Sequence, residues 1–197
     1  MSTNIFDDLP ADGATLDQLH QRLARDADRS GLLDIAYRTV DTPVGTLLLA
    51  ATPVGLVRVA YDVEGHDAVL ARLATTVSPR ILAAPARLDD AARQLDEYFA
   101  KRRTTFALPV DLRLTEGFRR NVVEHLRDIG YGRRESYAAV AAAIGHPRAV
   151  RAVGTACAHN PLPVVIPCHR VVRSNGATGQ YVGGPVAKLR LLDLEAA

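Results

Sequence analysis

Three short runs between positions 34 and 62 predict strands: the residues alternate in character over 35–39, and segments 46–51 and 56–61 are short apolar runs. Alternation with a period of two is typical of half-buried strands. The runs are separated by segments 42–45 and 53–55, which both contain proline and glycine and read as tight turns. This stretch therefore predicts an antiparallel meander of three strands.

Elsewhere in the first half of the chain, apolar residues recur at helical spacing. A first helix is predicted with Leu16, Leu19 and Leu23 on one face, and we expect this face to pack against a larger body. Segment 104–110 is predicted to return to the sheet as an edge strand. The three helices predicted in this half cover residues 12–30, 67–77 and 88–101.

After residue 114 the pattern is helical. Thr115 is predicted to cap a helix that Gly130 ends, and Ser136 to cap a short helix over 137–144. Pro147 is expected in the first turn of the next helix, over 148–159. The short connection between these last two helices indicates a helix-turn-helix unit.

These patterns predict an α+β protein in three parts. Residues 1–32 form a helical extension and residues 33–112 a small α/β scaffold domain with an antiparallel sheet. Residues 113–197 form a mostly helical domain that contains the helix-turn-helix. The chain of 197 residues is long enough to bury a sizeable core.

Composition excludes several classes of protein. With 48% hydrophobic and 23% charged residues, the chain reads as globular rather than disordered. Charges interrupt every apolar run before the roughly 18 residues that a membrane helix needs. Residues 1–8 contain acidic side chains but no basic and apolar regions of a secretory signal. Two cysteines are too few for a disulfide framework or a structural zinc site, so we expect a reduced, cytoplasmic protein without a metal.

The net charge of +2 hides a division along the chain. Residues 1–114 have 13 basic and 16 acidic side chains, a net charge of −3. Residues 115–197 have 11 basic and 6 acidic side chains, a net charge of +5. A basic unit of this kind favours contact with nucleic acid, although a solvated charged face is the alternative.

The segment Ile-Pro-Cys-His-Arg-Val-Val at 166–172 is the strongest chemical signal in the sequence. Pro167 restricts the residue before it to extended conformations, so Cys168 is expected at a turn. Neighbouring cations and a nearby helix N-terminus are expected to lower the pKa of this thiol and make it a nucleophile. A buried structural cysteine is the alternative.

The order of motifs around this cysteine resembles that of the methylated-DNA–protein-cysteine methyltransferases. The motifs are Tyr-Gly at 131–132, Ser-Tyr at 136–137, Arg-Ala-Val-Gly at 151–154, Asn-Pro at 160–161, Pro-Cys-His-Arg at 167–170, Tyr-Val-Gly-Gly at 181–184, and Lys188 to Glu195. The match covers residues 118–195. Upstream, only a strand-rich domain of suitable size resembles the family.

The resemblance implies repair of duplex DNA by irreversible transfer of an alkyl group from O6 of guanine to the protein's own cysteine, and it leaves open whether O4 of thymine is also a substrate. Cys168 matches the acceptor, His169 the residue that takes the thiol proton, and Glu195 the carboxylate that orients the imidazole. The thioether is stable, so each molecule reacts once. No cofactor is implied.

Further residues match family positions around the base and the DNA. Tyr137 matches a tyrosine that gives a proton to the leaving base and approaches the target phosphate. Asn160 matches an asparagine that braces the turn carrying the cysteine. Arg151 matches the arginine that fills the gap left by a flipped base, on a helix in the minor groove, where sequence is read poorly. The candidates for phosphate contacts are Arg119, Arg120, Arg133, Arg134 and Arg148.

The base pocket is expected from the backbone around Val171 and from the Tyr-Val-Gly-Gly motif, that is Tyr181, Val182 and Gly183, with the glycines allowing close approach. Val182 departs from relatives that have a small polar residue there. Arg119 and Val123 stand where many relatives have glutamine and tryptophan.

Two other readings stay open at this point. A DNA-binding protein that recognises damage or regulates transcription could use the same helix-turn-helix without chemistry, although relatives that only bind damage lack the cysteine. A cysteine hydrolase would need an oxyanion hole, for which there is no signal. The zinc-site cysteines of some relatives are missing here. The expected partner is duplex DNA containing alkylated guanine, bound by a monomer with or without cooperation between molecules.

Overall fold

The computed structural model describes residues 13–196. The expectations for residues 1–8, and the start of the predicted first helix at residue 12, lie outside this range. Helix α1 covers Gly13–Arg29. The expectation that its leucine face packs against the body is wrong, since Leu16, Leu19 and Leu23 are 47%, 56% and 54% exposed. The helix contacts the core instead through Ala24, nearer its C-terminal end.

The predicted meander is confirmed and extended to a four-stranded sheet. The strands are β1 (Ile35–Val40), β2 (Leu47–Ala51), β3 (Leu56–Tyr61) and β4 (Ile81–Ala83), in the order β3-β2-β1-β4. The first three pair antiparallel, and β4, which the sequence pattern did not predict, pairs parallel to β1. Segment 104–110 forms no strand and contributes only a bridge from Val110 to Leu56, which corrects the expected edge strand.

All residues of β2 are buried because both faces of the sheet are covered. Leu48 belongs to a cluster beneath α2 (His66–Thr76), whereas its neighbour Leu49 belongs to the main core beneath α3 (Asp89–Phe99). A strand buried on two faces reads as a continuous apolar run, as the sequence of β2 does.

The C-terminal half consists of four helices and a short parallel ribbon. Ser136 caps its helix as predicted, accepting a hydrogen bond from the backbone N–H of Ala139 at 3.0 Å. Thr115 is not a cap: its hydroxyl donates to Leu112 O at 2.8 Å, and the helix begins at Gly117. Pro147 lies before its helix rather than in its first turn. The elements are α4 (Gly117–Leu126), β5 (Glu135–Ser136), α5 (Tyr137–Ala143), α6 (Val150–Ala158), β6 (Val171–Val172) and α7 (Gly184–Glu195).

One apolar core joins the two halves. It contains Leu95 and Tyr98 of α3 together with Leu126 of α4, Val140 of α5 and Ile166 next to the site cysteine. The N-terminal sheet and the C-terminal helices are therefore packed directly on each other. This confirms the predicted α+β fold, while the exact domain boundaries stay a prediction.

Candidate active site

The cysteine of the sequence motif lies at a turn, as predicted, and this turn is buried. Cys168 is 2% exposed and starts a single 3₁₀ turn, Cys168–Arg170. Asn160, itself 1% exposed, braces the segment before it: its Nδ2 donates to Ile166 O at 2.8 Å, and its Oδ1 accepts from Leu162 N at 3.0 Å. The side chain of Asn160 thus replaces backbone partners that the turn lacks.

The segment between Asn160 and this turn contains a strained residue. Val164 has a φ of +72°, in the left-handed region that β-branched side chains rarely adopt, and it is 1% exposed. Such strain persists only where the surrounding contacts hold it, and it is found at functional sites. The bracing by Asn160 supplies part of this support.

The expected lowering of the Cys168 pKa is wrong. Burial raises it from 9.0 to about 11, although the Asn160 side chain and the Lys188 ammonium both favour the thiolate. Desolvation of a charged sulfur outweighs the neighbouring cations because the site excludes water. The resting thiol is therefore protonated at neutral pH and needs a base to react.

A buried carboxylate organises the residues that follow the cysteine. Glu195 Oε1 accepts hydrogen bonds from His169 Nε2 at 2.9 Å, Arg170 Nη2 at 2.8 Å and Tyr98 Oη at 2.7 Å. Its Oε2 accepts from Arg170 Nε at 2.9 Å. Burial alone would raise the pKa of Glu195, but these donors hold it well below its usual range, so the group is a carboxylate.

His169 has the features of a neutral base. It is fully buried, and burial lowers its pKa below 6.5 against the opposing effect of Glu195. Since Nε2 donates to Glu195, the lone pair lies on Nδ1. Within the part of the chain that the structure describes, Nδ1 has no hydrogen-bond partner. An orphaned buried ring nitrogen next in sequence to a protonated thiol is available to accept its proton.

Lys188 is a second charged group that sequence reasoning left without a role. It is fully buried on α7, and its ammonium donates to Val171 O at 2.7 Å. It also lies 5.9 Å from the centroid of the Tyr137 ring. No salt bridge is formed by this ammonium among residues 13–196, and burial lowers its pKa. Its charge favours the thiolate of Cys168.

Tyr137, the first residue of α5, is held between α6 and the loop that contains Gly179. Its ring contacts Gly154 of α6, and a Cβ at Gly179 would lie 2.8 Å from its hydroxyl. Gly179 has a φ of +69°, so both its conformation and this close approach require glycine. Burial raises the pKa of Tyr137 to about 12, which keeps its hydroxyl protonated.

The candidate DNA-contacting arginines lie on the surface of the C-terminal half. Arg151 is exposed in the first turn of α6, the second helix of the helix-turn-helix. The other candidates are exposed as well, on α4, in the segment before β5 and in the connection between α5 and α6: Arg119, Arg120, Arg133, Arg134 and Arg148. Of these, Arg120 forms an ion pair with Glu124 at 3.0 Å.

The expected pocket residues meet beside the cysteine turn. Val171 is fully buried, whereas Tyr181, Val182 and Gly183 are partly exposed. The Tyr181 ring lies edge-to-face with His169, with the centroids 6.3 Å apart. Gly183 packs directly on the ring of Tyr61, a residue of the N-terminal sheet. The close approach at Gly183 is therefore to this ring.

Cys157 is free and buried on α6, and burial raises its pKa too. Within the described range, the His, Cys, Asp and Glu side chains form no group of three or more that could bind a metal ion. None of the helices in residues 13–196 combines the length and apolar character of a bilayer-spanning segment.

Besides Lys188, sequence reasoning missed three members of the site. Arg170 stood within the recognised motif, but only its contacts with Glu195 reveal its function. Tyr98 and Tyr61 come from the N-terminal half, about 70 and 107 positions before Cys168. Nothing in their local sequence distinguishes them from ordinary core tyrosines.

Comparison with known proteins places this geometry in a family. Two family models match: the 6-O-methylguanine DNA methyltransferase ribonuclease-like domain over residues 35–112, and the DNA binding domain of the same family over residues 117–197. Together they cover the sheet domain and the helical domain.

Relatives match over most of their own length. A methylated-DNA–protein-cysteine methyltransferase of Mycolicibacterium paratuberculosis is 41% identical over 82% of this chain and 92% of its own. The constitutive enzyme of that name from Bacillus subtilis is 39% identical over 81% of this chain and 94% of its own. The crystal structure of Mycobacterium tuberculosis OGT in complex with DNA has a TM-score of 0.71 at 37% identity, over 82% and 92% of the two chains.

The resemblance seen in the motifs is thus confirmed over both halves of the chain, including the N-terminal half, in which no family motif was recognised. The sheet, the helix-turn-helix and the buried cysteine turn all lie within the matched residues. The chain belongs to the 6-O-methylguanine DNA methyltransferase family.

Proposed function

We propose that this protein repairs duplex DNA by moving an alkyl group from O6 of guanine to Sγ of Cys168. The bond between sulfur and the alkyl carbon forms as the bond between that carbon and O6 breaks. The observation that carries the proposal is a buried, protonated thiol followed by a neutral histidine whose Nδ1 is unpaired. Family membership supplies the class of substrate.

The proton balance follows from the neighbours of the cysteine. His169 Nδ1 takes the thiol proton, directly or through one water, and the Glu195 carboxylate stabilises the imidazolium that forms. Lys188 lowers the cost of the sulfur's negative charge in the buried site. The hydroxyl of Tyr137 is protonated in the resting protein. It gives this proton to the departing guanine, so the base does not leave as an anion.

The burial of Cys168 sets the way in which DNA must bind. A base stacked in a duplex cannot reach a sulfur that is 2% exposed, so the target nucleotide is rotated out of the helix. Arg151 then fills the gap in the base stack, and the surrounding arginines contact phosphates. Approach from the minor groove explains low sequence specificity, which repair requires.

Every residue in this scheme comes from one chain, so we infer that a monomer suffices. A thioether is a very stable product, because a thiolate is a poor leaving group from an unactivated alkyl carbon. Each molecule therefore reacts once, and the yield equals the amount of protein. A methyl group on O4 of thymine presents a similar carbon, and the same assay with O4-methylthymine in the duplex decides whether it is a substrate.

The test follows a labelled methyl group. A duplex oligonucleotide with one O6-[³H]methylguanine is incubated with the protein, and the label on protein and DNA is counted. We expect one methyl per chain, none for Cys168→Ala, and normal transfer for Cys157→Ala, the matched variant at the other buried cysteine. Tight binding with the label left on DNA would instead indicate a protein that only recognises damage.

A further inference from the structure

The strand β3 of the N-terminal sheet touches both segments of the proposed site. On one side, Val59 N donates to Pro161 O at 2.8 Å. The guanidinium of Arg58 donates to the same oxygen at 3.2 Å and to Asn160 O at 3.4 Å. The backbone of the turn that carries Asn160 is therefore held from the sheet, while the Asn160 side chain holds the segment before Cys168.

Arg58 is itself fixed in place. It forms an ion pair with Glu64 in which the two side chains are 15% and 19% exposed. Glu64 Oε1 also accepts a hydrogen bond from the backbone N–H of Tyr61 at 2.9 Å. One carboxylate thus links the residue that contacts the Asn160 turn to the residue at the end of the strand.

Tyr61 contacts the opposite side of the site. It is 3% exposed, and its ring lies edge-to-face with Tyr181, with centroids 5.7 Å apart and hydroxyl oxygens 3.1 Å apart. A Cβ at Gly183 would lie 2.6 Å from Cε1 and Cζ of this ring, so the backbone there rests on the face of Tyr61. Tyr181 in turn packs against His169.

We propose that Arg58 and Tyr61 are positioning residues for alkyl transfer. Arg58 holds the turn that carries Asn160, and Tyr61 holds the wall formed by Tyr181 and Gly183. Because Tyr61 supports this wall from behind, it sets how large an alkyl group can lie beside Cys168. The inference rests on the proposed function and assigns the N-terminal sheet a part in the reaction.

The test compares transfer rates at saturating DNA for duplexes that contain O6-methylguanine or O6-benzylguanine. Tyr61→Phe removes one hydrogen bond and keeps the ring, so methyl transfer should slow about 3- to 10-fold. Tyr61→Leu lets the wall move, so the ratio of benzyl to methyl rate should rise about fivefold or more. The Kd for undamaged duplex should not change.

Two further variants separate positioning from stability. Arg58→Met should slow methyl transfer at saturating DNA, and Arg58→Lys should restore part of the rate because it keeps a cation opposite Glu64. Tyr37→Phe is the matched control: it alters a half-buried tyrosine of the same sheet that packs in the cluster under α2, and it should react at the normal rate. A residue needed only for folding would change the melting temperature and leave the benzyl-to-methyl ratio untouched.

The outcomes distinguish this inference from the proposed function. If the unmodified chain takes up methyl and folded Tyr61→Leu shows the normal rate and ratio, the positioning role is overturned while the proposed function stands. If Tyr61→Leu does not fold, Tyr61→Phe decides, and a normal methyl rate overturns the role. If the unmodified chain takes up no methyl from DNA, the proposed function fails and the inference falls with it.

Discussion

The raised pKa of Cys168 leads to a quantitative prediction about His169. A shift from 9.0 to about 11 means that burial disfavours the thiolate by about 3 kcal/mol. At about pH 7.4 only about one molecule in 4000 would then hold a thiolate without help. An alkyl transfer that relied on this fraction would accelerate tenfold with each unit of pH.

His169→Gln removes the base while leaving an amide that can donate to Glu195. We expect methyl transfer at about pH 7.4 to slow about 100-fold or more, the range in which general bases contribute. The variant's rate should then rise tenfold per pH unit toward the thiol's pKa. The unmodified protein should show a flat profile above about pH 6.5 and lose rate at lower pH, as His169 becomes protonated.

The assay is single-turnover transfer from a methylated duplex by rapid quench, from about pH 5.5 to about pH 9.5. His125→Gln is the matched control, since His125 also pairs with a glutamate, Glu135, at 2.9 Å but belongs to helix α4 rather than to the cysteine turn. A tenfold rise per pH unit in the unmodified protein would refute the reasoning. So would a His169→Gln rate equal to that of the control.

Three other results are expected. Arg151→Ala should slow transfer from duplex DNA about tenfold or more, since unstacking a base costs a few kcal/mol, yet leave the reaction with free O6-benzylguanine unchanged; equal slowing of both would exclude a role in flipping. Lys188→Met should slow transfer without lowering the free energy of unfolding in urea, because it removes a buried cation that has no carboxylate partner in the described structure; a large loss of stability would contradict this. Glu195 has a lowered folded pKa, so its stabilising effect is present above pH 4.5 and is lost as pH falls further. Acid unfolding should therefore be less steep for Glu195→Gln, and an unchanged slope would argue against the network.

The sequence by itself determined most of the elements and singled out Cys168 as the candidate nucleophile. The alternation over 35–39 defined the first strand, because a pleated strand exposes alternate residues to opposite faces. The short apolar runs at 46–51 and 56–61, each bounded by turn residues, defined the next two. The Ser136 cap and the short connection after α5 defined the helix-turn-helix, since both are local in sequence. Pro167 placed Cys168 at a turn for the same local reason, and the ordered motifs around it identified the family.

Tertiary structure decided what depends on residues far apart in the chain. Strand β4 was missed because three residues carry too little periodicity and its pairing with β1 spans about 46 positions. The pKa of Cys168 was predicted in the wrong direction because the neighbouring cations are visible in the sequence, whereas burial is a property of the folded core. The contacts of Tyr98 with Glu195 and of Tyr61 with Tyr181 join residues 97 and 120 positions apart. Only packing of the two halves brings such groups together, so the candidate nucleophile could be identified from the sequence and the residues that support it could not.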